Sequence, residues 1–351
     1  MIFSEELAYY QSQNNVLGLS NVRAFLQQWN IDQIALETFV RRSARSGQLY
    51  YVSTVPRGLG GSTSDVDFMV IVDDAVERNS NLTSMLFNQG RRVGIKTLTR
   101  AEVLAGLAAV EARLAAWDAG DYRCDPLPMK WINLERAING VTFEGEPEFI
   151  GHLAILARWA GAMAFADFCQ NCLLTELAIA AEEAGAARAY GEAAVMAAMD
   201  CLMAACGRVQ WNTKWIYERW RIFLGELGEK SAALRVHAVE RLLEALQAPH
   251  VSAQHVREAL GDVRRCLLGH DSSRRASDRT RLVQAPDVSI DDFLPRAVVL
   301  QGPTGAAVVD KAVLERVLGD VPPPDPNAAS VGLALSQKGL LCVEFQRSRG
   351  V

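Results

Sequence analysis

Residues 66–72 read VDFMVIV, a run of apolar β-formers interrupted by one aspartate, and such a run is a strand buried in the body of a sheet. Two more β-like segments flank it, QLYYVSTV at 48–55 and RRVGIKTLT at 91–99. Between the last two, DDAVERNSNLTSMLFNQG reads as a turn and a short helix. Ahead of the strands, Val22, Phe25, Leu26 and Trp29 recur at helical spacing, with Ser20 or Asn21 available as a cap. After them, TRAEVLAGLAAVEARLAAW is an amphipathic helix and DAGDYRCDPLPMKW a loop. A helix in WINLERAING and a short strand in VTFEG complete a mixed α/β domain over residues 1–150.

From 151 to 268 the pattern changes to Ala-, Leu- and Glu-rich periodic segments, which predict a helical bundle. GHDSSRRASDRTR follows, and 269–283 reads as an exposed basic linker. The remaining 284–351 form a small α/β module, either winged-helix-like or a cap on the bundle. It has β-like RAVVLQG, helix-like AAVVDKAVLERVLG, a proline-rich turn, and β-like VGLALSQ and GLLCVEFQ. The fold class expected is therefore α+β.

The chain has 351 residues, room for two or three domains of roughly 100 to 200 residues each. Half of its residues are hydrophobic, and its net charge of -5 supplies no global field for nucleic acid. Seven scattered cysteines fit a reducing, cytoplasmic compartment better than a disulfide framework. The start, MIFSEELAYYQSQ, lacks the basic, apolar and small-residue sections of a signal peptide. The most apolar stretches are short or broken by Arg158, Asp167 or Asp200, so no membrane span is expected.

Asp65 and Asp67 stand at i and i+2, so on a strand their side chains share a face about 6–7 Å apart. Carboxylates so placed can share Mg²⁺, a hard ion that takes oxygen ligands and keeps waters for phosphate oxygens. Taken alone, the pattern is also that of two strand-edge aspartates, one at the turn and one solvated. The context is more particular. STVPRGLGGSTSDVDFMVIV resembles the nucleotidyltransferase superfamily with the DNA polymerase β-type palm, through Arg57-Gly58 and Ser64-Asp65-Val66-Asp67 of its small bacterial members.

That resemblance implies a strand ending in Gly-Ser some ten residues before the aspartates. Spacing then excludes the conspicuous GGS at 60–62 and assigns the phosphate-facing turn to Ser53 and Thr54, with Ser53 where the family has glycine. The family's third carboxylate is expected on the strand VGIKTLT, whose centre offers Lys96; Glu102 and Glu144 are the nearby candidates. Lys214, in NTKW, resembles a family lysine that reaches nucleotide phosphates, while Trp211, Trp215 and Trp220 around it have the spacing of a core stripe.

The resemblance thus implies a Mg²⁺-dependent nucleotidyltransferase. Asp65 and Asp67 would hold metal, Ser53, Thr54, Arg57 and Lys214 would bind a nucleoside triphosphate such as ATP, and a small molecule would be the acceptor. The missing glycine and third acid leave a second reading, a noncatalytic scaffold that binds a peptide or protein partner through its C-terminal module. A third is a transferase acting on RNA or protein, suggested by the arginines of 264–281, although acidity weighs against nucleic acid. Cys169 and Cys172, in CQNC, lack a second such pair and read as buried thiols. LQGPTGAAVVDK lacks the Gly-Lys ending of a P-loop and reads as a hairpin or a helix-entry turn.

Overall fold

The run at 66–72 is the second strand of a four-stranded sheet in a computed structural model of the chain. The structure describes residues 3–42, 46–73, 85–87, 91–119, 129–210, 213–227, 233–247, 253–268, 279–292, 295–319 and 325–346. The turn and helix expected over 73–90 fall largely outside these, as do Trp211 and residues 269–278 of the expected linker. Among the described residues the chain is mixed α and β, with eleven α-helices and small sheets. None of these helices is long and apolar enough to cross a membrane.

Two compact units divide the chain: residues 1–161 with 203–226, and residues 162–202 with 227–351. This cuts across the sequential boundaries expected at 150 and 268. The divisions fall within helices and not at loops.

The first unit begins with helices α1 (Ser4–Gln28) and α2 (Gln33–Arg41). Asp32 caps α2, its carboxylate accepting from the amides of Ile34 at 2.8 Å and Ala35 at 3.1 Å. Strands β1 (Gln48–Val52), β2 (Val66–Val72), β3 (Met85–Phe87) and β4 (Arg91–Thr99) follow, lying in the order β1-β2-β4-β3. β1 is antiparallel to β2, β2 is parallel to β4, and Asp67 pairs with Val52 on one side and Gly94 on the other. The strand expected in VTFEG is reduced to one bridge, between Val141 and Tyr51.

Alternation along β2 decides which side each residue serves. Val66, Phe68, Val70 and Val72 join a core with Phe25, Leu26 and Leu36 of α1 and α2. Asp67, Met69 and Ile71 therefore face the other way. Helices α3 (Arg100–Asp118) and α4 (Trp131–Asn139) come next, and α4 packs on β1 and β2. Its Leu134, Ala137 and Ile138 are fully buried. The unit also takes in the start of α5 (Leu153–Ala180), the end of α6 (Ala184–Ala205) and most of α7 (Ile216–Leu227).

The second unit holds the rest of α5 and α6, then α8 (Ala233–Gln247) and α9 (Ala253–Leu268). Strand β5 (Arg279–Gln284) pairs with β9 (Leu341–Gln346), so the end of the expected linker is a paired strand. β6 (Ser289–Asp291), β7 (Ala297–Gly302) and β8 (Gly305–Asp310) form an antiparallel meander, and Gly302 and Gly305 close the expected hairpin. The segment expected as one helix over 306–319 is half strand. Asp310 ends β8 and caps α10 (Lys311–Leu318), accepting from the amides of Ala312 and Val313.

VGLALSQ, expected as a strand, belongs to α11 (Pro326–Gln337). Pro326 at the first turn and the Asp325 cap start that helix, and it buries Ala328, Ala329, Gly332, Leu333 and Leu335 at helical spacing. Leu282, Leu300, Val317 and Leu333 share one core with Leu174 and Leu177 of α5. The C-terminal elements therefore cover a helix of the bundle.

Candidate functional site

The β1–β2 connection is a folded structure from end to end. Ser53 leaves β1 with φ of +70°, the left-handed region that glycine enters freely and other residues at a cost. A serine thus occupies the glycine position of the resembling family with a glycine-like backbone. The Thr54 carbonyl accepts from the amides of Arg57 at 3.1 Å and Leu59 at 3.0 Å, closing a tight turn over Val55–Arg57. Gly58, at φ of +72°, ends that turn, and at Gly60 an added Cβ would fall 2.7 Å from the Phe25 ring.

The GGS segment is held by β4. Arg91 donates to the carbonyls of Ser62 at 2.9 Å and Ser64 at 3.1 Å. Its guanidinium lies over the rings of Phe25 and Trp29, 5.5 and 5.3 Å from their centroids. This loop therefore has a structural anchor and leads the chain to Asp65.

Asp65 is exposed at the mouth of β2, and the Asp67 side chain is 24% exposed on the face turned toward α4. There Arg136 of α4 donates to the Asp67 carboxylate at 3.4 Å and to the Ser53 hydroxyl at 3.3 Å. The turn and the strand carboxylate thus converge on one guanidinium. Arg136 carried no signal in the sequence, because one arginine on an amphipathic helix is an ordinary surface residue until packing aims it.

The other expected site residues are engaged elsewhere. Arg57 donates to the Tyr10 hydroxyl, to Asn14 Oδ1 at 2.7 Å and to the Asn139 carbonyl at 2.8 Å, tying the turn to α1 and α4. Lys214 is exposed and lies over the Trp215 ring, 5.3 Å from its centroid. Glu102 closes a capping box with Thr99 at the start of α3. Glu144 pairs with Arg41 and accepts from the Leu49 amide at 2.9 Å. Lys96 pairs with Met69, one strand over from the carboxylates.

A group the sequence did not single out lies beside Arg136. Glu135 is buried, and burial pushes its carboxyl above the ordinary range, while Arg57, Arg136, Asn139 and Arg219 pull the other way. Asn139, one turn along, donates to the Val209 carbonyl at 2.8 Å and to Glu135 at 3.5 Å.

For a metal, Asp65 and Asp67 are a partial ligand set. Among the described residues no group of three or more His, Cys, Asp or Glu side chains is placed to hold an ion. Two carboxylates suit a Mg²⁺ that arrives with triphosphate oxygens and water, and do not suit an ion caged by protein alone. A family model described as a family of unknown function (DUF6001) matches residues 11–341 of the chain. No curated protein matches it.

Proposed function

The chain belongs to the DUF6001 family, and we propose that its first unit is a Mg²⁺-dependent nucleotidyltransferase moving a nucleoside monophosphate from a nucleoside triphosphate to a small-molecule acceptor. The observation that supports this reading most is the convergence of the Ser53 turn and the Asp67 carboxylate on Arg136. Ser53 and Thr54 would meet the terminal phosphates through hydroxyls and turn amides. Arg136 takes the counter-charge role first expected of Arg57.

Asp65 and Asp67 would hold Mg²⁺, which would supply positive charge to offset that of the triphosphate. The acceptor oxygen or nitrogen attacks the α-phosphorus, the bond to the bridging oxygen of the β-phosphate breaks, and the acceptor proton passes to solvent. ATP is the first nucleotide to test.

The engaged states of Glu102 and Glu144 favour a second reading, a noncatalytic scaffold that binds a peptide or protein partner through its C-terminal elements. Pyrophosphate release from ATP with Mg²⁺ separates the two. Turnover by the wild type that falls to background in the Asp65→Asn/Asp67→Asn variant, with unchanged circular dichroism, supports the transferase. Equal turnover by that variant would sink the mechanism. A wild type that shows no calorimetric binding of any nucleoside triphosphate with Mg²⁺ would leave the scaffold.

A further inference from the structure

The first unit contains a cavity of about 390 Å³ whose lining includes neither Asp65 nor Asp67. That volume lies in the range of small-molecule sites. Its charged lining is unbalanced: Arg57, Arg208, Arg219 and Arg221 against Glu218 and Glu226. Both carboxylates already have partners within this set, since Glu226 pairs with Arg208 and Glu218 with Arg221 at 2.6 Å.

Arg57 spends its hydrogen bonds on neutral oxygens of Tyr10, Asn14 and Asn139. Arg219 is only 8% exposed and donates to the Arg208 carbonyl at 3.4 Å. Glu135, outside the lining, acts on both Arg57 and Arg219, and counting it still leaves four arginines against three carboxylates. Cations held away from water gain more from an added anion than surface cations do.

The remainder of the wall mixes polar Asn14, Asn21 and Gln210 with apolar Met203, Ile222 and Phe223, while Arg208 lies over the Tyr10 ring at 4.2 Å. We propose that this cavity binds a small organic anion, its carboxylate or phosphate on the arginines and its apolar or aromatic body against Met203, Ile222 and Phe223. The cavity shares Pro56, Arg57 and Gly58 with the β1–β2 turn but not Asp65 or Asp67, and anion binding there stands whether or not that turn transfers nucleotides.

Phenyl phosphate and benzoate are suitable probes, with neutral benzamide and cationic benzamidine as controls and inorganic phosphate to test the oxyanion alone. At millimolar concentrations the two aromatic anions should raise the melting temperature saturably, and the controls should not. A response to inorganic phosphate equal to that of phenyl phosphate would overturn the apolar half of the proposal.

The Arg221 side chain is 72% exposed, so Arg221→Glu leaves the fold intact and should weaken both anions by about tenfold or more. Ile222→Trp, which fills the cavity, should abolish binding. Arg219→Gln tests the buried cation, provided its circular dichroism matches the wild type. No stabilisation by either aromatic anion, or stabilisation unchanged by Arg221→Glu and Ile222→Trp, would overturn the site.

Discussion

The carboxylates that follow the β1–β2 turn and the arginine-lined cavity differ in charge, and neighbouring residues of α4 act on both. On the turn, Asp65 and Asp67 gather negative charge and Arg136 supplies the cation. Around the cavity arginines dominate, and Glu135, outside its lining, acts on Arg57 and Arg219. Consecutive helix positions point about 100° apart, so one short helix can deliver opposite charges to two places. The turn is partly open to water, with Asp65 exposed and Asp67 half-buried. Within the arginine cluster Arg219 is nearly buried while Arg221 is open to water, so the buried charge is the one worth most to a ligand.

The largest effect in this comparison should come from Arg57→Ala. Arg57 borders the cavity but also fastens the turn to Tyr10, Asn14 and Asn139. Its removal should lower unfolding free energy in urea by about 2–3 kcal/mol, because the buried Asn14 loses its partner. A loss no larger than that of an exposed arginine, such as Arg221→Ala, would separate the two regions completely.

A smaller effect, of opposite sign, is expected at Ser53. Ser53→Gly removes a left-handed serine and should stabilise the fold by about 1 kcal/mol, read from the denaturation midpoint at constant slope. Ser53→Ala keeps the unfavourable φ and loses the hydroxyl that Arg136 donates to, so it should not stabilise. Equal stabilities of the two variants would show that the turn carries no strain.

The smallest expected effect is a change in slope at Glu135. Its folded carboxyl binds a proton more tightly than the unfolded one, so the native state carries more protons above the ordinary value of 4.5. Stability should therefore fall as pH rises from that value through the raised one. Glu135→Gln should flatten this fall, as followed by urea denaturation at a series of pH values. An unchanged slope would mean that Glu135 titrates as an exposed acid does.

Much of the first unit was legible because periodicity and turn chemistry are local. The apolar run at 66–72, the β-like flanks and the amphipathic helix after Thr99 each declare themselves within ten to twenty residues. The same locality misled at VGLALSQ, where β-branched and leucine residues suggest a strand. The Asp325 cap and Pro326 a few residues earlier instead start a helix that buries those residues at helical spacing.

The candidate site was legible only in part. Asp67 and Ser53 stand out in the sequence through the Asp-x-Asp spacing and the resemblance, and the structure brings both to Arg136, whereas Asp65 precedes the first residue of β2. Arg136, Glu135 and the anchor Arg91 do not stand out, since nothing near them in sequence tells a buried or aimed charge from a solvated one. Arg57 was identified as a charge beside the turn, and its actual partners are Asn14 and Asn139, distant in sequence.

The sequence by itself determined strands β1, β2 and β4 and most of the helices, all consequences of short-range backbone geometry. Only the tertiary structure decided that Arg136 answers Asp67 while Arg57 turns to α1 and α4, and that arginines from α1-proximal and α7-proximal segments enclose one cavity. Those are matters of which faces pack together. Charge acts through space over several ångströms, so residues far apart in the chain set each other's role.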